Sequence, residues 1–232
     1  MLSHSNICFT GILLLSFFAF VACRDKCYGL KYDYEELVKY NQAEFEMYDF
    51  RPGERVASIG ASSGWFEVAN SVFTDSMVFY IQDIDPDCAN QKKINRLKRF
   101  YLRHRAGPMT NQLIAWVGSS ESTGLPQASF DKVLLRLSFH EFSQPEPMLS
   151  EIYHLLKPEG RLFVAENIVE ETGQTDENCD HALWSWPDLV EEIEKNGFIL
   201  LHISNPEQPE VIEYEIGDTY RIFCFIKSPA KE

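Results

Sequence analysis

Between residues 55 and 226 the chain repeats one pattern: an apolar run of five to seven residues, a turn, then an amphipathic stretch. The apolar runs are continuous rather than alternating, so each strand is covered on both faces. That condition is met by a mostly parallel sheet between two layers of helices, an α/β fold. Strands are predicted over 55–59, 77–82, 113–117, 132–137, 161–166, 199–204 and 220–226. Helices are predicted over 32–47, 65–73, 86–105, 146–156 and 186–196. Asp85 is the expected cap of the third helix, with Pro86 at its first position. Lys157-Pro158-Glu159-Gly160 is the expected stop of the fourth, and Gly197 the left-handed cap of the fifth. A Pro- and Glu-rich loop separates the last two strands.

The chain has 232 residues, 45% of them hydrophobic, which suits one domain with a full core. Its formal net charge is -14, and none of the charged residues falls within 1–22. So acidic a body repels phosphate backbones and argues against a nucleic-acid partner. The basic run Lys92, Lys93, Arg96, Lys98, Arg99, Arg103, Arg105 has helical spacing and reads as a solvated helix face. Residues 7–22 are nearly all apolar, too short for the roughly 20 residues of a membrane span, and fit a secretory signal. Phe20-Val21-Ala22 before Cys23 resembles a bacterial lipobox, whose cysteine carries the lipid anchor. That implies the cell envelope. The n-region lacks Lys and Arg, and Phe20 replaces the usual aliphatic residue. The rival explanations are another cleaved signal or anchor, and a start codon set too far upstream, which leaves a cytoplasmic protein. The resulting division is a leader at 1–22, a helical extension at 23–50 and the α/β domain at 51–232. Six cysteines occur with no C-x-x-C pair, so no metal is expected. An envelope location would permit a disulfide, but the pairing stays open. Cys224 lies in an apolar run and reads as a buried small hydrophobe.

The turn after the first strand, Gly60-Ala61-Ser62-Ser63-Gly64, admits two readings. One is the G-x-S-x-G elbow of a serine hydrolase, with Ser62 as nucleophile. The other is a glycine turn that cradles a nucleotide-like cofactor. Chain order favours the second. The turn follows the first strand of the domain, no His-Gly-Gly loop precedes it, and His140, His181 and His202 sit in no triad frame. A ribose-bearing cofactor also requires a carboxylate at the end of strand 2. Asp83 stands there, 19 residues after Gly64, against an expected spacing of about 20. Ser119 and Ser120 supply polar groups after strand 3.

Three segments, GERVASIGASSGWFEVA, FYIQDIDPD and SFDKVLLRLSFHEFSQPEPMLSEIYHLLKPEGRLFVAE, together resemble the class I S-adenosylmethionine-dependent methyltransferases. The resemblance spans about residues 50–227 and is strongest in the third segment, residues 129–166. It implies a Rossmann-like, seven-stranded, mostly parallel sheet with the last strand antiparallel and helices on both faces. It implies S-adenosylmethionine as cofactor and methyl transfer to a small-molecule acceptor. Gly60 and Gly64 match the outer glycines of the cofactor turn, and Ser62 occupies the middle one. Asp83 matches the ribose-binding acid, Ile84 the residue packed on the adenine, and Ser119 and Ser120 the pair at the adenine amine. Arg136, Leu137 and His140 match the exit of strand 4, facing cofactor or substrate. His140 is the candidate general base for a hydroxyl acceptor, weighed against a structural histidine fixing its loop. Glu166, Trp65, Phe66, His181, Trp184 and Trp186 are read as structural.

Three positions depart from the family pattern. Ser58 stands where an acid often orders the turn and faces the cofactor's amino group. Ser62 adds a β-carbon, and a serine replaces a carboxylate at 119 or 120. These departures, with the leader, support an alternative: a non-catalytic methyltransferase-fold binding module in the envelope. A nicotinamide-dependent dehydrogenase fits less well, because the G-x-G-x-x-G spacing is missing. Neither oligomeric state nor the methyl acceptor is legible in the sequence.

Overall fold

A computed structural model describes residue 27 and residues 34–175, 181–204 and 220–229. The leader, Cys8, Cys23, Cys179 and the Pro- and Glu-rich loop lie outside the described residues. No helix among the described residues is long and apolar enough to cross a membrane.

The strands are β1 (Arg55–Ile59), β2 (Val78–Asp83), β3 (Gln112–Val117), β4 (Phe130–Arg136), β5 (Leu156–Val169), β6 (Trp184–Ser185), β7 (Phe198–Ser204) and β8 (Tyr220–Lys227). The helices are α1 (Tyr34–Met47), α2 (Trp65–Asn70), α3 (Gln91–Tyr101), α4 (Pro145–Leu155) and α5 (Trp186–Lys195). The main sheet runs β3-β2-β1-β4-β5-β8-β7, with the short β6 pairing β5 off that path. Pairings from β3 to β5 are parallel. β8 alone runs against its neighbours, with Arg161 opposite Ile226 and Asn167 opposite Tyr220. The expected mixed sheet with an antiparallel last strand is therefore what forms.

Side-chain alternation along the strands splits the core in two. Val56, Phe79, Leu134 and Phe163 face one layer, under α1, α2 and α3. Ala57, Val133, Leu162 and Phe225 face the other, under α4 and α5. α1 lies along the first face and is fastened at two points. Glu44 pairs with Arg136 at the end of β4. Just past that same end of α1, Lys132 of β4 donates to Glu54 and to the Asp49 carbonyl.

Two elements differ from expectation. α3 starts at Gln91 rather than Pro86, because Asn90 is the working cap: its side chain accepts from the Lys92 and Lys93 amides. Asp85 instead accepts from the Asp87 amide at 2.8 Å, and Cys88 is bonded to Cys27. The expected stop at 157–160 lies inside β5. Leu156 pairs with Phe130 and Arg161 with Lys132, so the residues between are looped out as an irregularity in the ladder. Gly197, with φ +89, takes the left-handed conformation expected of it. Cys224 is buried as expected, and burial pushes its thiol up to about 11. Trp186, read as core, is 52% exposed, because it occupies the first turn of α5 rather than its inward face.

Candidate functional site

The chain leaves β1 toward β2 on one side and β4 pairs it on the other, so the strand order reverses at β1. Crevices in open α/β sheets lie outside the carboxyl ends of the strands at such a point. A cleft is found there, lined by Ile59, Gly60, Gln82, Asp83, Ile84, Ser119, Ser120 and Ser138, and by Glu141–Gln144 with Met148. It encloses about 620 Å³ free of protein atoms, open solvent at its mouth included.

The turn after β1 has φ +69 at Gly60, +50 at Ser62 and +69 at Gly64. A β-carbon at Gly60 would sit 2.6 Å from Ser138 Cβ, and one at Gly64 would sit 2.5 Å from Ile81 Cγ2. Glycine is thus demanded twice, by backbone angle and by close approach. Ser62 accepts the left-handed angle with a side chain whose Oγ is buried and unpartnered among the described residues. Ser62 is not among the residues that line the cleft. The Ser62 amide donates to Asp83 Oδ2 at 2.8 Å, and the Asp85 amide donates to Asp83 Oδ1 at 2.9 Å. Each carboxylate oxygen keeps further acceptor capacity for ligand hydroxyls. Ile84, 58% exposed, offers an apolar surface at the mouth.

Of the residues anticipated from sequence, Gly60, Asp83, Ile84, Ser119 and Ser120 come together on the cleft wall. Arg136 is placed elsewhere. Its Nε donates to Glu44 Oε1 at 2.9 Å, and its guanidinium stacks 4.4 Å from the Phe66 ring centre. Tyr48 and Tyr220 hydroxyls donate to the same Glu44 oxygen at 2.8 and 2.7 Å. Burial lowers the Arg136 pKa, but the charge and hydrogen bond of Glu44 together with Tyr220 and Tyr48 outweigh it and hold the guanidinium well above its ordinary value. Burial and then the Glu44 charge push both tyrosines well up. Ser58, at the place of the family's acid, donates to Glu67 Oε1 at 2.6 Å. Burial raises the Glu67 pKa, and its Oε2 has no partner among the described residues.

Sequence reasoning missed Gln82, Ser138 and the pairing of His140 with Glu166. Gln82 is buried on the cleft wall, and its Oε1 accepts no hydrogen bond from the described residues. A polar residue inside the apolar run before Asp83 was the available signal. Ser138 Oγ donates to the Ile59 carbonyl at 2.9 Å and ties the exits of β4 and β1. His140 Nδ1 lies 2.7 Å from Glu166 Oε2, while Glu166 Oε1 accepts the Phe139 amide at 2.7 Å. Leu137, just before this loop, has φ +50, a strained angle for a bulky residue.

Comparison with known proteins adds the family context. A methyltransferase-domain family matches residues 83–164, from Asp83 through the exit of β4 and into β5. No curated protein matches the chain. An Aquifex aeolicus SAM-dependent methyltransferase superposes with a TM-score of 0.60 at 17% identity, over 84% of this chain and 100% of that one. The fold is that of the S-adenosylmethionine-dependent methyltransferases. Haemonchus contortus phosphoethanolamine N-methyltransferase 2, solved with S-adenosyl-L-methionine, shares this methyltransferase fold with a TM-score of 0.57 at 16% identity, covering 82% of this chain and 53% of its own. The [4+2]-cyclase SpnF has it too, with a TM-score of 0.56 at 16% identity over 81% and 80% of the two chains. The methyltransferase fold therefore positions the cleft without fixing the reaction.

Proposed function

We propose that the cleft binds S-adenosylmethionine and that the chain transfers its methyl group to a small molecule bearing an ionisable proton, such as a hydroxyl. The observation that carries this is the Asp83 carboxylate, fixed by two backbone amides at the cleft end of β2. The residues fit the cofactor. Asp83 has spare acceptor capacity for the ribose diol. Gly60 admits close approach, Ile84 offers a surface for the purine, and the unpartnered Gln82 Oε1 awaits a donor.

Bound S-adenosylmethionine supplies an electrophilic sulfonium methyl. The protein's part is alignment, desolvation and removal of the acceptor proton. His140, next to Glu141 on the cleft wall but not itself lining it, takes that proton. Its Nδ1 pairs with Glu166, which stabilises the imidazolium that results. Glu166 is itself held by the Phe139 amide, so the pair is preorganised.

We propose separately that the chain resides in the cell envelope. The Cys27–Cys88 disulfide supports an oxidising compartment, and the leader supports export.

Isothermal titration with S-adenosylmethionine tests the cofactor assignment. Binding is expected for the native chain. Asp83→Ala removes two hydrogen bonds to a charged group, each contributing about 1.5–3 kcal/mol, so its affinity should fall by roughly a hundredfold or more. Absence of heat at millimolar ligand, or an Asp83→Ala variant that binds equally well, refutes the assignment.

A further inference from the structure

We propose that the Cys27–Cys88 disulfide is a positioning device for the Asp83 carboxylate, so that ligand affinity depends on the redox state of this bond. This rests on the cofactor reading of the cleft. The chain leaves β2 at Asp83 and reaches Cys88 within five residues, Ile84-Asp85-Pro86-Asp87-Cys88. Hydrogen bonds join Asp83, Asp85, Asp87 and Cys88 along that path. Asp83 accepts the Ser62 and Asp85 amides. The Asp85 side chain accepts the Asp87 amide at 2.8 Å, and the Asp85 carbonyl accepts the Cys88 and Ala89 amides at 3.0 and 2.9 Å. Cys88 is then joined to Cys27, and an Asp85 carboxylate oxygen lies within 4.8 Å of both sulfurs. Both half-cystines are buried, at 6% and 4% exposure.

The turn needs such a restraint. Asp83, Asp85 and Asp87 are three like charges at alternate positions, and mutual repulsion favours an opened turn. The other half of the bond, Cys27, is itself buried, and Lys93 Nζ of α3 donates to its sulfur at 3.9 Å. The bond therefore pins the turn that aims Asp83 to a buried residue 61 positions away in sequence. Reduction by a dithiol transfers two electrons and two protons to the pair. It yields two cysteine thiols and the oxidised, cyclic dithiol reagent. The turn is then held only by its own hydrogen bonds.

The test compares the oxidised protein with Cys27→Ser, Cys88→Ser and the double variant. S-adenosylmethionine affinity is read by titration, and amide exchange is read at Ser62 and Asp85. All three variants should lose about tenfold in affinity, the effect of a turn that is competent about a tenth of the time. The double variant should match the singles, since one bond is lost in each. The Ser62 and Asp85 amides should exchange faster. Ile193→Val, in the opposite core layer, should lower the melting temperature without changing affinity, separating positioning from general destabilisation. Should a variant not fold, the native protein with and without dithiothreitol, held below its melting point, gives the same two readings. Unchanged affinity together with unchanged exchange at Ser62 and Asp85 overturns the proposal. If the oxidised protein binds no nucleoside, the cofactor reading fails. The tether is then judged on exchange alone: faster exchange on reduction upholds it, and unchanged exchange overturns it.

Discussion

At the scale of single residues, Glu67 shows how far a buried group can depart from its ordinary chemistry. Burial raises its pKa above 4.5, with Ser58 and Arg136 opposing and Glu44 reinforcing the rise. The folded protein thus keeps a proton that the unfolded chain releases. Its contribution to stability is complete below pH 4.5 and is lost as pH climbs through the raised value. Gln at this position carries no charge and still accepts from Ser58. Glu67→Gln should match the native chain near pH 4 and exceed it in stability at neutral pH, as urea unfolding at the two pH values will show. Other residues of this kind were partly legible. Gly60 and Asp83 could be found by spacing, because the glycine turn and the acid obey a fixed distance along one β-α-β unit. Glu44 could not, because its partners Arg136 and Tyr220 are 92 and 176 residues away. Nothing in α1 itself marks that glutamate as different from Glu35 or Glu46.

At the scale of elements, α1 is an added piece that the sheet has made its own. Its Glu44 takes three donors in a buried setting, from Arg136, Tyr48 and Tyr220. Removing one member of a buried ion pair leaves the other uncompensated, at a cost of about 3–5 kcal/mol. Glu44→Ala should lower stability by that much in urea titration. Pairing it with Arg136→Met should recover part of the loss, because no orphaned charge remains. Strands and helix faces were well anticipated, since continuous apolar runs and 3.6-residue periodicity are local signals. The start of α3 was not. Asp85-Pro86 is a strong helix-opening signal, yet the chain spends Asp85 on a turn and caps with Asn90. Asn90 accepts two amides of the first turn, from Lys92 and Lys93, an outcome the local pattern did not single out. The stop at Lys157-Pro158-Glu159-Gly160 was legible, since α4 ends at Leu155; the pairing of Leu156 with Phe130, which makes these residues a loop within β5, was not.

At the scale of the whole molecule, charge is the dominant long-range term. A net charge of -14 on 232 residues opposes compaction through self-repulsion. Salt shortens the reach of that repulsion to about 10 Å at 0.1 M. The melting temperature should therefore rise between 10 and 200 mM sodium chloride, measured by calorimetry; a fall would mean that the specific ion pairs outweigh the mean field. The sheet order was legible as a class, because alternating elements with an apolar closing pair leave few topologies open. β8 runs against its neighbours, and its end, with Ile226 opposite Arg161, lies at the end of the sheet remote from the cleft. A surface-immobilisation handle attached beyond Ser228 would accordingly hold the molecule by its floor, leaving the mouth of the cleft facing the flow of a biosensor.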